Sequence, residues 1–222
     1  MKLYIYDHCP YCVKARMIFG FKGIKLELIT LLNDDEKLPI KMIGKKLVPI
    51  LQKEDGSYMP ESLDIIDYID NNYGAPMLNR LNDSVTNPIE RLEAELKEYS
   101  YKLAMPTWLM VDRGKFLAEF ATEEARAYFK TKKEAYIGSF SEHFLARDTY
   151  IKLVNQLLIK LEELLYSSES ACGRLALIDI HLFATLRSLS IIKGLEYGPK
   201  LLAYRKFMSN YAKIELHDKI AL

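Results

Sequence analysis

Cys9 and Cys12 stand three positions apart in Asp7-His8-Cys9-Pro10-Tyr11-Cys12. Two thiols at that spacing can act on one disulfide in turn, the first opening it and the second resolving the mixed disulfide that results. The elements that must position them are legible on either side. Lys2-Leu3-Tyr4-Ile5-Tyr6 is short, aromatic and β-branched, which predicts a strand. Pro10 suits a first helical turn, and Val13, Ala15, Met17, Ile18 and Phe19 carry an apolar pattern on to Gly20 and Gly23. A strand giving way to a helix puts Cys9 near the unpaired N–H groups at the positive end of the helix dipole, where a thiolate is favoured. An ordinary thiol is only roughly 3% ionised at neutral pH, so a depression of about two units makes the nucleophile abundant. Cys12 lies one turn deeper, can reach back to Cys9 and meets solvent less easily. The expected roles follow: Cys9 attacks and Cys12 resolves.

The competing use of a C-x-x-C is half of a metal site. Zinc wants a second ligand pair, whereas His143, His181 and His217 are scattered singly and Cys172 stands alone, so no metal is expected. Three cysteines do not make the disulfide framework of a secreted domain. Cys172 is read as a bystander thiol. His8 is read as a solvated turn histidine, with assistance to Cys9 ionisation as the alternative.

Around this motif, the 222 residues are half hydrophobic and about a quarter charged, enough for two cores of ordinary size. Residues 1–75 hold ten Lys/Arg against eleven Asp/Glu and the remainder twenty-one against nineteen, so no basic field is available for nucleic acid. The apolar run after Lys2 is broken at Asp7, and no window approaches the ~20 apolar residues of a membrane span. A cytoplasmic protein with no membrane partner is the expectation. Lys25 to Ile29 alternates as a second strand, Lys37 to Ile43 is a short helix ended by Gly44, and Leu47 to Gln52 and Ser57 to Met59 form a hairpin around Glu54-Asp55-Gly56. Leu63, Ile65, Ile66 and Ile69 recur at helical spacing. The order β-α-β-α-β-β-α is that of a thioredoxin-like α/β domain with a mixed four-stranded sheet. Residues 1–72 are assigned to it, and 73–88, rich in Asn, Gly, Pro and Asp, to a linker. Amphipathic stretches at Ile89–Met105 and Ile151–Leu165 predict an all-α domain over 89–222.

The tetrapeptide Cys9-Pro10-Tyr11-Cys12 resembles that of the dithiol glutaredoxins. Leu47-Val48-Pro49-Ile50 is similar to the cis-proline segment of the thioredoxin superfamily, and Met59-Pro60-Glu61-Ser62 to the glutathione-binding turn of glutathione transferases. With the linker and the helical half, essentially the whole chain resembles the two-domain bacterial glutaredoxins. The resemblance implies a glutathione-transferase-like architecture and a monomeric reductase of protein disulfides and glutathione mixed disulfides. Glutathione would be its reducing co-substrate, with no tightly bound cofactor. It also implies Cys9 and Cys12 as the redox pair, supported by Pro10 and Tyr11, with Val48, Pro49, Glu61 and Ser62 binding glutathione. A Ser hydroxyl at a helix N-terminus can hold the γ-glutamyl carboxylate, and Glu61 its ammonium group. On local grounds alone Ser62 is a helix-start residue and Glu61 a dipole complement. Lys37, Lys41, Lys45 and Lys46 are all open as partners of the glycine carboxylate. Trp108 either lines an interdomain cleft or fills the core. One departure from the family pattern is Ala176 in Ala176-Leu177-Ile178-Asp179, where a capping hydroxyl is missing and the start of the next helix is put in doubt.

Two rivals remain: a glutathione transferase or dehydroascorbate reductase using Cys9 alone, which Cys12 argues against, and an iron–sulfur binding protein with Cys9 and glutathione as ligands. The chain has no G-x-G-x-x-G, so direct use of a nicotinamide is not expected. Glutaredoxin potentials lie ~30 mV or more above that of thioredoxin, which suits glutathione as the electron donor.

Overall fold

The computed structural model describes residues 1–111 and 117–222. Its first strand, β1 (Lys2–Ile5), is followed by α1 (Pro10–Phe21), β2 (Glu27–Thr30), α2 (Lys37–Ile43), β3 (Ile50–Gln52), β4 (Tyr58–Pro60) and α3 (Ser62–Asn72). The strand order is β2-β1-β3-β4, with β1 parallel to β2 and antiparallel to β3, and β3 antiparallel to β4, which is the mixed sheet expected. Gly44 ends α2 with φ 75° and Gly56 turns the hairpin with φ 82°, both in the left-handed region that glycine reaches without a Cβ penalty.

Helices then account for nearly all the regular structure: α4 (Asp83–Trp108), α5 (Glu123–Ile137), α6 (Phe140–Leu145), α7 (Arg147–Leu164), α8 (Leu177–Leu189) and α9 (Pro199–Ala212), with a 3-10 turn at Ala118–Phe120 between α4 and α5. α4 packs against α5, α6, α7 and α8. None of the described helices is long and apolar enough to cross a membrane.

The segment read as a linker over 73–88 is shorter in the structure, because α4 begins at Asp83 and holds Pro88 as its sixth residue. Past the first turn, Pro88 forgoes the N–H that would donate to the Ser84 carbonyl, and the packing of α4 on α7 and α8 carries the helix through that loss, so the proline does not mark the boundary that its turn-forming neighbours suggested. The stretch before α4 is tied down. Lys22 Nζ donates to the carbonyls of Asp70, Tyr73 and Ala75, each at 2.9 Å, and the Asp70 carboxylate accepts the N–H groups of Met77 and Leu78.

α1 explains how the redox motif is held. It buries Cys12, Val13, Ala15, Met17, Ile18 and Phe19, far more than one stripe, as a helix enclosed on several sides must. It packs on α3 from its own half and on α8 and α9 from the helical half. Gly20 makes the last contact possible: a Cβ there would lie 2.0 Å from the carbonyl oxygen of Ala212. A continuous hydrophobic core therefore runs from the sheet through α1 into the helices.

The missing hydroxyl at Ala176 does not displace α8, which starts at Leu177. Asp179 compensates by accepting from the N–H groups of Ala176 (2.9 Å) and Ala171 (2.7 Å) and from the Tyr204 hydroxyl (3.0 Å). Half of a capping box survives, anchored from a neighbouring helix.

Candidate active site

Cys9 is the N-cap of α1 in an extended conformation (φ −72°, ψ 119°), with Pro10 in the first turn behind it. Its own N–H bonds the carbonyl of Tyr6 at 3.2 Å, and its carbonyl accepts from Val13 N–H at 3.0 Å, so the sulfur is carried by backbone bonded on both sides. Cys9 is half-buried and Cys12 is 0% exposed. The two sulfurs separate in acidity. The hydrogen bond from the Cys12 thiol pulls Cys9 down to about 6 against the opposing effect of burial, aided by His8 and by the N–H groups of Cys12 and Tyr11. Burial, then the hydrogen bond and charge of Cys9, push the Cys12 thiol well above the ordinary range. At neutral pH the arrangement offers one thiolate and one protonated thiol beside it.

Cys9 opens into a cavity of about 330 Å³ between the two halves of the chain. Pro10, Tyr11 and Val48 line it, as do Tyr6 and Lys46. The helical half contributes Tyr101, Met105 and Trp108 from α4 and Tyr128, Lys132 and Lys133 from α5. Trp108 thus meets both expectations, being 1% exposed and also part of the cavity wall. The Val48-Pro49 peptide is cis.

Glu61 and Ser62 lie outside the lining of this cavity but close to its edge in the sheet. Ile50 pairs with Pro60, so Val48-Pro49 and Glu61-Ser62 flank the same end of the β3–β4 ladder. Glu61, the N-cap of α3, has φ 68° and ψ 120°. A non-glycine residue there costs on the order of 1–3 kcal/mol and is characteristic of ligand-holding positions. Its carboxylate accepts from Lys45 Nζ at 2.9 Å rather than capping the helix. Ser62, expected at the helix start, is the first residue of α3 and is buried.

Among the four lysines, Lys46 lines the cavity, with Nζ 3.6 Å from the centre of the Tyr128 ring and donating to the carbonyl of Asn33. Lys45 is paired with Glu61, and Lys37 and Lys41 are not part of the wall.

The turn before Cys9 departs from expectation. His8 is 5% exposed, with its ring enclosed by Tyr6, Trp108, Phe120 and Phe129 at centroid distances of 4.6 to 5.8 Å. It is not a solvated turn histidine: the helical half covers the turn, which local sequence does not reveal. Glu119 Oε1, from the 3-10 turn, accepts the His8 backbone N–H at 2.9 Å and faces ring Nδ1 at 2.6 Å. Asp7 is held likewise. Arg187 of α8 donates to its carbonyl at 2.6 Å and to Oδ2 at 2.8 Å, and Arg16 donates to Oδ1 at 2.6 Å. Burial alone would raise the Asp7 carboxyl, but the two guanidinium groups outweigh it and hold the group well below the carboxylate range. Sequence reading singled out neither Glu119 nor Arg187, nor Lys132 and Lys133.

Cys172 is half-buried, its thiol raised first by burial. Among the described residues no group of three His, Cys, Asp or Glu side chains could hold a metal ion.

Comparison with known proteins bears on the whole arrangement. A family model described as "Glutaredoxin 2, C terminal domain" matches residues 88–221, and one described as "Glutathione S-transferase, N-terminal domain" matches residues 3–77. Glutaredoxin 2 of Escherichia coli (strain K12) is 42% identical over 222 residues, with 100% of each chain covered. The crystal structure of glutaredoxin 2 from Salmonella typhimurium in complex with glutathione superposes with a TM-score of 0.93 at 42% identity, covering 100% of this chain and 98% of that one. Gtt2 from Saccharomyces cerevisiae, at 16% identity and a TM-score of 0.59 with 99% and 100% coverage, shares the fold.

Proposed function

The chain belongs to the glutaredoxin 2 family and is a glutathione-dependent thiol-disulfide oxidoreductase, and from that premise we propose how its own residues carry the reaction. The Cys9 thiolate attacks one sulfur of a protein disulfide or glutathione mixed disulfide. The S–S bond breaks, the second sulfur leaves as a thiolate and takes up a proton, and Cys9 is left in a mixed disulfide. Two exits follow. Cys12 gives up its proton and attacks the Cys9 sulfur, expelling the bound thiol and closing a Cys9–Cys12 disulfide that two glutathiones then reduce to thiols, becoming glutathione disulfide. Alternatively, a glutathione thiolate attacks the mixed disulfide directly. The observation that carries the assignment is the contrast between the two sulfurs, one half-buried and lowered to about 6, the other wholly buried and raised.

Glutathione, in this reading, lies along Val48-Pro49 with its sulfur towards Cys9 and its γ-glutamyl end against Glu61 and Ser62. The N-terminus of α3 and the Ser62 hydroxyl suit its carboxylate, and Glu61 its ammonium. Lys46 is the lysine assigned to the glycine carboxylate, since it alone of the four lines the cavity. Residues 1–72 act as the redox domain and the helical remainder as its cover. A monomer in the cytoplasm, where glutathione keeps the dithiol reduced, completes the proposal.

The variants Cys9→Ser and Cys12→Ser test it. Cys9→Ser loses reduction of both substrate classes, whereas Cys12→Ser keeps activity on glutathione mixed disulfides and loses it on protein disulfides. Full activity without Cys9 ends the proposal.

A further inference from the structure

The helical half contributes a carboxylate to the redox turn, and its burial is the starting point. Glu119 is 0% exposed; Oε1 meets the His8 backbone N–H and ring Nδ1, while Oε2 has no hydrogen-bond partner among the described residues. A carboxylate taken fully out of water is costly unless a proton or cation meets it closely. Among the described residues the imidazole at 2.6 Å is the group that does so, which fixes a hydrogen on Nδ1 and the ring's orientation. The ring lines the cavity with Cys9, and Glu119 does not, so the carboxylate stands behind the ring as seen from the cavity. The same residue reaches a second wall, because its carbonyl accepts from Asn33 N–H at 2.9 Å, and the Asn33 carbonyl in turn accepts from Lys46 Nζ.

We propose that Glu119 is a positioning residue of the thiol chemistry: acting through His8, it holds the imidazole with its hydrogen on Nδ1 and its positive side towards Cys9, so that the helical half supplies part of the field keeping Cys9 a thiolate. The proposal rests on the reading that Cys9 is the nucleophile. Among the described residues, the other ionisable groups facing this pair are Tyr6 and Cys9 from the redox half, and Tyr128, Arg187 and His217 from the helical half. Arg187 is committed to Asp7, and burial lowers His217 to about 3, leaving its ring neutral. Among the described residues Glu119 is thus the acidic group bonded to the His8 ring.

The test is the pH profile of Cys9 alkylation by iodoacetamide, read by mass spectrometry on the full chain. Glu119→Gln keeps an oxygen for the His8 backbone N–H and removes the charge. Its midpoint moves to higher pH, and alkylation at pH 6 slows about fivefold relative to the unmodified protein. His8→Gln has the same effect, and the double variant is no slower than His8→Gln, since the two residues act as a unit. A contribution to stability alone would lower the melting temperature and leave the midpoint where it was. A wild-type profile for Glu119→Gln, or additive effects in the double variant, overturns the proposal. Should the variants fail to fold, nitrogen NMR of the unmodified protein decides: the proposal requires a hydrogen on His8 Nδ1, and a ring carrying it on Nε2 alone refutes it. Activity of Cys9→Ser is a separate readout, so loss of the nucleophile assignment and loss of the Glu119 role are told apart.

Discussion

Replacing Gly20 with alanine probes the contact that seats α1 on the helical half. The added Cβ would lie 2.0, 2.4 and 2.7 Å from the O, C and Cα atoms of Ala212. Non-bonded carbon atoms are comfortable at about 3.5–4.0 Å, so α1 and α9 would have to separate by more than 1 Å. All three atoms are backbone, and no rotamer change can relieve the clash. Overpacking of this kind costs about 1–3 kcal/mol, and an unyielding neighbour places Gly20→Ala at the upper end. Alanine returns up to about 1 kcal/mol through its better helix propensity. The balance is a loss of ~2 kcal/mol, which for a chain of this length lowers the melting temperature by about 4–8 °C. Thermal unfolding followed by circular dichroism measures it. Cys9 lies eleven positions away at the other end of the helix, about 16 Å along the axis, so its alkylation midpoint should not move. An unchanged or raised melting temperature would mean that helix propensity outweighs the contact, and the reasoning about the interface would be wrong.

Asp7→Asn leaves the buried Arg187 guanidinium without its counter-charge and should cost about 3–5 kcal/mol at pH 7, measured by urea denaturation. Because the folded Asp7 carboxyl titrates below its unfolded value, its stabilisation is full above about pH 4 and is lost as pH falls towards the folded value; the gap between Asp7→Asn and the unmodified protein should therefore narrow in acid, and a constant gap would contradict the assignment. Lys46→Met should raise the KM for glutathione about tenfold, the effect of losing ~1.5 kcal/mol from a charged hydrogen bond, with kcat little changed. An unaltered KM would remove Lys46 from the binding site. Asp179→Ala strips the acceptor from two buried N–H groups and the Tyr204 hydroxyl, so a loss of about 3 kcal/mol or more is expected in thermal or urea unfolding, and a neutral result would show that the half capping box does not hold α8.

Local pattern made the redox half readable. The aromatic and β-branched run of β1, the proline of α1 and the glycines at 44 and 56 each act within a few residues, and the structure keeps all of them. Cys9 and Cys12 were legible for the same reason, since the strand-turn-helix that separates their acidities is contiguous. What escaped was long-range. His8 has the composition of a wet turn and becomes buried only because Trp108, Phe120 and Phe129 arrive from a hundred or more positions away. Glu119 carries no motif; its one signal is a charge flanked by Leu117 and Phe120, apolar residues that imply burial. The start of α4 was misplaced because Pro88 and its Asn-rich surroundings look like a loop, whereas tertiary packing of α4 carries the helix through the one backbone bond that the proline forgoes.

The turn that presents Cys9 is fastened from more than a hundred positions away, by Glu119 and by Arg187, which also donates to the carbonyl of Glu215 at 2.8 Å. During synthesis the sheet and α1 leave the ribosome long before these partners exist. A nascent chain can therefore own both cysteines and lack the clamps around them. Its first sulfur should then have only the acidity that the contiguous strand, turn and helix give it, and the share held through His8 should arrive once Glu119 has been made and packed against the turn.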